Sequence, residues 1–483
     1  MNKTLTLLLA TSAVSAVIST AAMPVAAETL TDSLVMAYET NPDLQAQRAA
    51  LRAADEGVAQ AMSGFLPTVA ATGQISKQNR FSSSDAFDRD AEGNTIPRLN
   101  PDGSRARDSS DVNSTPKFYE ARVDQPLFQG FQTVSSRKQA KSLVRAARAQ
   151  LQATEQTVFL DTVTVYLDVL RDEAVLRLNQ NNVEVLTRQL QATQDRFRVG
   201  EITRTDVAQS EARLAGAVSS RISAEADLAA SRSRYRRFVG QQSGTLEKPP
   251  AAPALPATLD GALEIARGNN PSIAIAKYNE EAARFAVNQA VGALAPTVSG
   301  FASINRFEGT SAFGASTVDS TTTTKQIGVQ VRIPLFQGGG EYADIRRARQ
   351  VDSQRRLEIL SAERQANARV RTAWDRHRAA QAAIKSNMAQ VRANTIALDG
   401  VRQEAAVGSR TTLDVLDAEQ ELLDARVQLV RAERDEYVAS FELLAATGQL
   451  NVTTLELPAR KYDPEEHYRK VKNKFIGWGS SND

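Results

Sequence analysis

The chain is written twice, and this limits what it can fold into more than any other feature. Leu30, Leu34, Ala37, Asn41, Pro42, Gln60 and Pro67 recur 229 positions later as Leu259, Leu263, Ala266, Asn270, Pro271, Gln289 and Pro296. Further along, Pro126 to Gly130 recur as Pro334 to Gly338, and Val199, Gly200, Asp206, Val207, Glu211 and Gly240 as Val407, Gly408, Asp414, Val415, Glu419 and Gly448, now at an offset of 208. Repetition at a fixed offset marks duplicated structural units. The drop from 229 to 208 places 21 extra residues in the first copy, between Pro67 and Pro126. They fall in a stretch rich in Ser, Asp, Asn, Gly and Arg from Ser82 to Pro116, which reads as a long solvated loop. The expected organisation is a leader at 1–27, a first repeat at 28–240, a Pro-rich linker at 241–257, a second repeat at 258–448, and a tail at 449–483, partly equatorial and partly disordered.

Each copy alternates helix and strand in the same order. Val134 to Val199 contains neither proline nor glycine, and from Glu341 to Val407 only Gly400 interrupts. At ~1.5 Å per residue each stretch predicts a helix on the order of 100 Å long, which no compact globule needs. Leu176, Val183 and Leu190 lie seven apart, with Ile384, Val391 and Leu398 at the matching places, a coiled-coil seam. The shorter helical stretches at 31–64 and 203–240 together match one long helix in length, so two short helices stacked end to end would run beside each long one. Between the helices lie strand pairs. Ile327, Val329, Val331 and Ile333 alternate with Gly328, Gln330 and Arg332, and Tyr119, Ala121 and Val123 with Glu120, Arg122 and Asp124, the period of a wall with one apolar face. Four strands cannot close a barrel, because even small ones need about eight; three chains would supply twelve.

The N-terminus has the order of a secretory leader: Lys3, an apolar run from Leu5 to Ile18, and small residues ending Val25, Ala26, Ala27, which predicts a mature start at Glu28. Past it no apolar run reaches 18 residues, so entry into a membrane would need a strand barrel. With 58 basic and 56 acidic side chains the chain lacks the basic surface of a nucleic-acid binder. Cysteine is absent and the two histidines, His377 and His467, are 90 positions apart, so no catalytic residue, metal site or cofactor is expected. Gly338, Gly339 and Gly340 lack the Lys-Ser/Thr of a phosphate loop and read as a strand-to-helix corner.

The residues from Val407 to Ala418 (Val-Gly-Ser-Arg-Thr-Thr-Leu-Asp-Val-Leu-Asp-Ala), their counterpart Val199, Gly200, Glu201, Thr205, Asp206 and Val207, the two Pro-Leu-Phe-Gln-Gly runs and the tail with Tyr462, Asp463, Pro464 and Tyr468 resemble the TolC-like outer-membrane factors of drug efflux and type I secretion. The resemblance covers about 28 to 450. It implies a mainly α fold with a small β part: a homotrimer with a twelve-stranded barrel in outer-membrane lipid, four strands per chain, and an α-helical tunnel across the periplasm. It also implies a non-enzymatic exit duct whose partners are a periplasmic membrane-fusion adaptor and, through it, an inner-membrane pump or ABC transporter.

Asp414 and Asp417, three apart, share one helix face. On spacing alone this is a solvated surface; the resemblance makes it an aspartate ring at the tunnel entrance. By the same resemblance Arg410 is a gate latch with Thr205 and Asp206 on the neighbouring hairpin as its partner. The adaptor-docking tips are then Val199, Gly200 and Glu201 in one copy and Val407, Gly408 and Ser409 in the other. Where the family carries a tyrosine three positions before the second glycine, this chain has Ala405. The rival reading is an exported coiled-coil adaptor or structural protein without a pore, which would show one hairpin between β-rich halves rather than strand pairs in both copies.

Overall fold

The computed structural model describes residues 28–313, 316–477 and 479; the leader expected at 1–27 lies outside them. The first repeat runs α1 (Leu30–Thr40), α2 (Pro42–Ser63), β1 (Thr68–Ile75), β2 (Gln78–Asp85), β3 (Phe87–Arg89), β4 (Thr95–Pro97), β5 (Arg107–Ser114), β6 (Lys117–Gln129), α3 (Gln132–Arg198) and α4 (Arg204–Val239). The second runs α5 (Leu259–Asn269), α6 (Pro271–Gly292), β7 (Thr297–Phe313), β8 (Ser316–Arg332), α7 (Gly340–Ala406) and α8 (Thr412–Ala446), and the tail adds α9 (Glu466–Val471). The two long helices are 67 residues each, so the unbroken stretches of sequence are single helices and the fold is mainly helical.

Short helices pack beside the long ones, α2 and α4 along α3, and α6 and α8 along α7. The end-to-end joints are built alike in both copies. Asn41 caps α2, its Oδ1 accepting from the amides of Asp43 and Leu44, while its Nδ2 donates to the carbonyl of Phe238 at the end of α4 (3.2 Å). Asn270 caps α6 and donates to Ala446 at the end of α8 (3.0 Å). One amide side chain thus starts one helix and satisfies an orphan carbonyl of another, which aligns the two on a common axis. Around the joints lies the main core, where Tyr38, Phe159, Tyr166, Tyr235, Phe441 and Leu450 are buried between α1, α3, α4, α8 and the tail. The heptad seam is buried chiefly at Leu186, which packs with Leu416 and Ala217 from α8 and α4. Its second-copy counterpart is fully buried only at Leu398.

The strands form a four-stranded antiparallel sheet in the order β1-β6-β7-β8. Along β6, Tyr119 and Val123 stand on the exposed face, while Arg122 turns to the other and bonds Asp124 through two guanidinium N–H groups (2.7 and 2.8 Å). Along β8, Ile327, Val329 and Val331 repeat that exposed apolar face. Apolar residues on one face and polar ones on the other is the alternation of a membrane barrel wall. Among the described residues no helix is long and apolar enough to cross a membrane.

Two readings of the sequence change. The stretch read as a loop from Ser82 to Pro116 is a β-hairpin: β2 pairs with β5 from Gln78↔Ser114 to Asp85↔Arg107, and β3 with β4 at its end. Arg98 ties it together through Asp88 (2.8 Å) and Asp108 (3.5 Å). Both of its faces are polar, so no hydrophobic alternation announced it. The two Pro-Leu-Phe-Gln-Gly runs also differ: the first continues β6 as far as Gln129, whereas β8 ends at Arg332, before the second. The described part of the tail is packed, burying Leu450, Val452, Leu457 and Val471.

Candidate functional site: the helical hairpin tips

Each long helix ends in a turn of the same construction. In the first copy Gly200 takes a left-handed φ of 79° and Glu201 N–H reaches back to the Arg196 carbonyl (3.0 Å). In the second Gly408 takes 81° and Ser409 N–H reaches the Glu404 carbonyl (3.0 Å). The six-to-one bond and left-handed glycine satisfy carbonyls that the helix end leaves bare. Three residues on, the return helix opens with a reciprocal capping box. Thr203 Oγ1 accepts from Asp206 N–H (3.3 Å) as Asp206 Oδ2 accepts from Thr203 N–H (2.9 Å); Thr411 and Asp414 repeat this at 3.2 and 2.9 Å. Val199 and Val407, at 78% and 81% exposure, are the apolar points of the two tips.

These bonds set the charge. Hydrogen bonds from the Thr203 hydroxyl and amide hold the Asp206 carboxyl below the usual carboxylate range, and those from the Thr411 amide and hydroxyl do the same for Asp414. Asp414 is therefore a cap as well as a member of the expected ring. Asp417, one turn further, is exposed and ion-paired with Arg213 of α4. Within the chain Arg410 does not meet Thr205 or Asp206: its Nε donates to Glu404 (2.8 Å), across its own turn, and that carboxylate raises its pKa. In the first copy Arg196 fills the place of Glu404 and pairs with Glu201 (2.8 Å). The two tips thus share a backbone and exchange the sign of one residue.

Arg213 and Glu404 were not legible as site residues, because their partners lie on another helix or across a turn. Glu404 carried one signal, charge in the last turn of a helix before the repeated Val-Gly, and Arg213, inside α4, carried none. Side-chain bonds fix the second hairpin along its length: Asn394 and Asn387 on α7 donate to carbonyls of Glu421 and Gln428 on α8 (3.1 and 3.4 Å), and Arg402 pairs with Glu419. Among the described residues no group of acids and histidines is arranged to hold a metal.

The model of the outer membrane efflux protein family matches residues 34–241 and 262–449, one match on each repeat. The chain belongs to this family. It is 34% identical over 450 residues to the outer membrane efflux protein BepC of Brucella suis biovar 1, spanning 93% of this chain and 92% of that one. To the outer membrane protein TolC of Escherichia coli it is 26% identical over 441 residues, spanning 88% and 83%. The solved CmeC outer membrane channel of Campylobacter jejuni superposes with a TM-score of 0.72 over 92% of this chain and 89% of that one, at 14% identity, which shows a common fold. This efflux-family chain is accordingly a non-enzymatic channel protein of the outer membrane. Its sheet, with apolar residues on the exposed face, is the part suited to lipid.

Proposed function

We propose that three copies assemble into an exit duct for efflux, closed in the membrane by pairing β1 of one chain with β8 of the next, and docked at the hairpin tips to a periplasmic adaptor and its inner-membrane pump. What supports closure is that β1 and β8 are the two edges of the sheet, each with one neighbour. Open edges of this length invite pairing, and a spanning sheet in lipid must leave none. The observation that carries the docking reading is the duplication of the tip. Two turns separated by about two hundred residues keep the same left-handed glycine, back-bonded carbonyl, capping box and exposed valine. Fold stability alone does not require an exposed apolar point at both.

In this reading Asp414 and Asp417 of three chains form the acidic ring at the entrance, and Arg410 leaves Glu404 to reach Thr205 or Asp206 of an adjacent hairpin when the entrance is shut. The leader is removed before Glu28, which N-terminal sequencing of the purified protein checks. Gly408→Trp and Gly200→Trp test the docking. Both side chains would project from the tip into open space, so the protein should still reach the outer membrane while drug resistance is lost. Normal resistance in both variants refutes docking at the tips. Recovery of the wild-type protein outside the outer-membrane fraction would favour the coiled-coil adaptor instead.

A further inference from the structure

Beside the core, far from the tips, α2, α3, α6 and the tail line a half-open cavity of about 820 Å³. Its charged lining is lopsided: Arg48, Arg145, Arg148 and Lys461 against Glu155 alone. Two of the cations are committed to acids behind the lining, Arg145 to Glu281 (2.9 Å) and Arg148 to Glu465 (2.7 Å). The other two are not. Among the described residues no carboxylate lies within ion-pair distance of Arg48 or Lys461; the first donates to the Tyr38 carbonyl (3.1 Å) and the second to the Thr453 hydroxyl (3.1 Å).

Arg48 is 8% exposed, and its guanidinium lies over the rings of Tyr38 (4.5 Å) and Tyr462 (5.0 Å). Both rings stand at cation–π distance from the guanidinium, whose planar fork of N–H groups is of the kind that grips an oxyanion. Its Nε has no acceptor, and neither has the buried Nε of Arg148. A buried guanidinium N–H without an acceptor is costly, and these two, enclosed by protein atoms behind the lining, leave positive charge unmet on this side of the cavity. Glu155 feels the charge of both Arg48 and Lys461 but is within ion-pair distance of neither; Val452 N–H bonds it (3.2 Å), and burial pushes its carboxyl up.

We propose that this cavity binds an oxyanion-bearing ligand, a phosphate or carboxylate held between Arg48 and Lys461, with the tyrosines packing the rest of it. The volume exceeds that of a bare anion and falls in the range of sites for small organic molecules. Because Lys461 and Tyr462 belong to the tail and Arg48 to α2, the bound anion would tie the tail to the helical barrel. Nothing in this inference depends on how the tips dock.

The test uses the full-length purified protein in detergent, titrated with inorganic phosphate and, separately, with glucuronate, by calorimetry. Saturable binding of both, each competing with the other, shows a site for the oxyanion itself; saturable binding of glucuronate alone shows that the carboxylate must come on a sugar. Lys461→Gln, at an exposed position, should weaken binding about tenfold, the effect of losing one charge-assisted bond. Arg48→Lys, which keeps the charge and loses the planar fork, should weaken it comparably, while Lys385→Gln on α7 should leave it unchanged. No saturable binding of either probe by the wild type overturns the proposal. So does unchanged binding in Lys461→Gln and Arg48→Lys.

Discussion

The end-to-end joint of the short helices makes a sharp prediction, because three glycines with nearly the same backbone sit in different surroundings. Gly448, at the end of α8, has φ 79°, and a Cβ there would lie 2.4 Å from the Asn269 carbonyl oxygen and 3.0 Å from Asn270 N. Both neighbours are backbone, and Asn270 is the residue that holds α6 to α8 (3.0 Å). Gly200 and Gly408 have φ 79° and 81° with nothing within 4 Å of the added carbon. Alanine at either tip should therefore cost only the left-handed strain, about 1–2 kcal/mol. Gly448→Ala adds an overlap that the joint relieves only by shifting, typically 1–3 kcal/mol, for a total of roughly 2–5 kcal/mol per chain. Gly240→Ala should fall between, since its closest contact is the Thr40 hydroxyl at 3.3 Å, a side chain that can turn. Thermal unfolding of the detergent-purified proteins, followed by circular dichroism, gives the order. A Gly448→Ala midpoint no lower than that of Gly408→Ala refutes the joint as a point of close packing.

Three further outcomes are expected. An epitope inserted at Gly103, in an open turn at the end of the polar hairpin from β2 to β5, should be labelled on intact cells, because long connections of outer-membrane barrels lie outside; labelling that needs permeabilised cells refutes this orientation. Asp414→Ala with Asp417→Ala should weaken block of single-channel current by multivalent cations. With pH the sign is fixed by the depressed carboxyl of Asp414: its charged form and the cap it makes persist above the ordinary value of 3.8 and are lost only as pH falls through a folded value below it. Cation block should hold as pH drops toward 4 and fade beneath that; fading well above 4 would assign the block to other groups.

Much of the architecture was legible because it is repeated and periodic. A stretch without proline or glycine from 134 to 199 admits a helix of that length, and the helix runs from Gln132 to Arg198. The alternation at 327–333 named the apolar face of β8 before its neighbours were known. The joints were only half legible. Asn41-Pro42 and Asn270-Pro271 showed as a repeated pair, but the stretch at 31–64 was read without a break there, and the bonds to Phe238 and Ala446 span 197 and 176 residues, which no local pattern encodes. The polar hairpin was misread because its register rests on ladder bonds and on Arg98 rather than on a buried face. In the tips, residue type marked the turn at Val-Gly but not the caps at Thr203 and Thr411. It did not predict partners: Asp417 faces Arg213 and Arg410 faces Glu404 only once the helices are side by side.

The exchange of sign between the tips bears on how an entrance built from them would open. Arg196 and Glu404 occupy the same place in the two copies, and each closes an ion pair over its own turn, with Glu201 and with Arg410. The pair that holds Arg410 is exposed, about half of each side chain being open to solvent, so it contributes little and yields readily to a competing carboxylate. In the proposed shut state Arg410 must exchange Glu404 for Thr205 or Asp206 of an adjacent hairpin, and Glu404 is then the competitor of the latch. Removing the competitor and removing the latch should have opposite signs. Glu404→Gln should lower resting single-channel conductance in planar bilayers, because Arg410 is left with the inter-hairpin partner alone, while Arg410→Ser should raise it. The double variant should match Arg410→Ser, since without the arginine the carboxamide at 404 has nothing to release. If Glu404→Gln instead raises conductance as much as Arg410→Ser, the intrachain pair itself is part of the seal, and the entrance is held by the shape of each tip rather than by ties between hairpins.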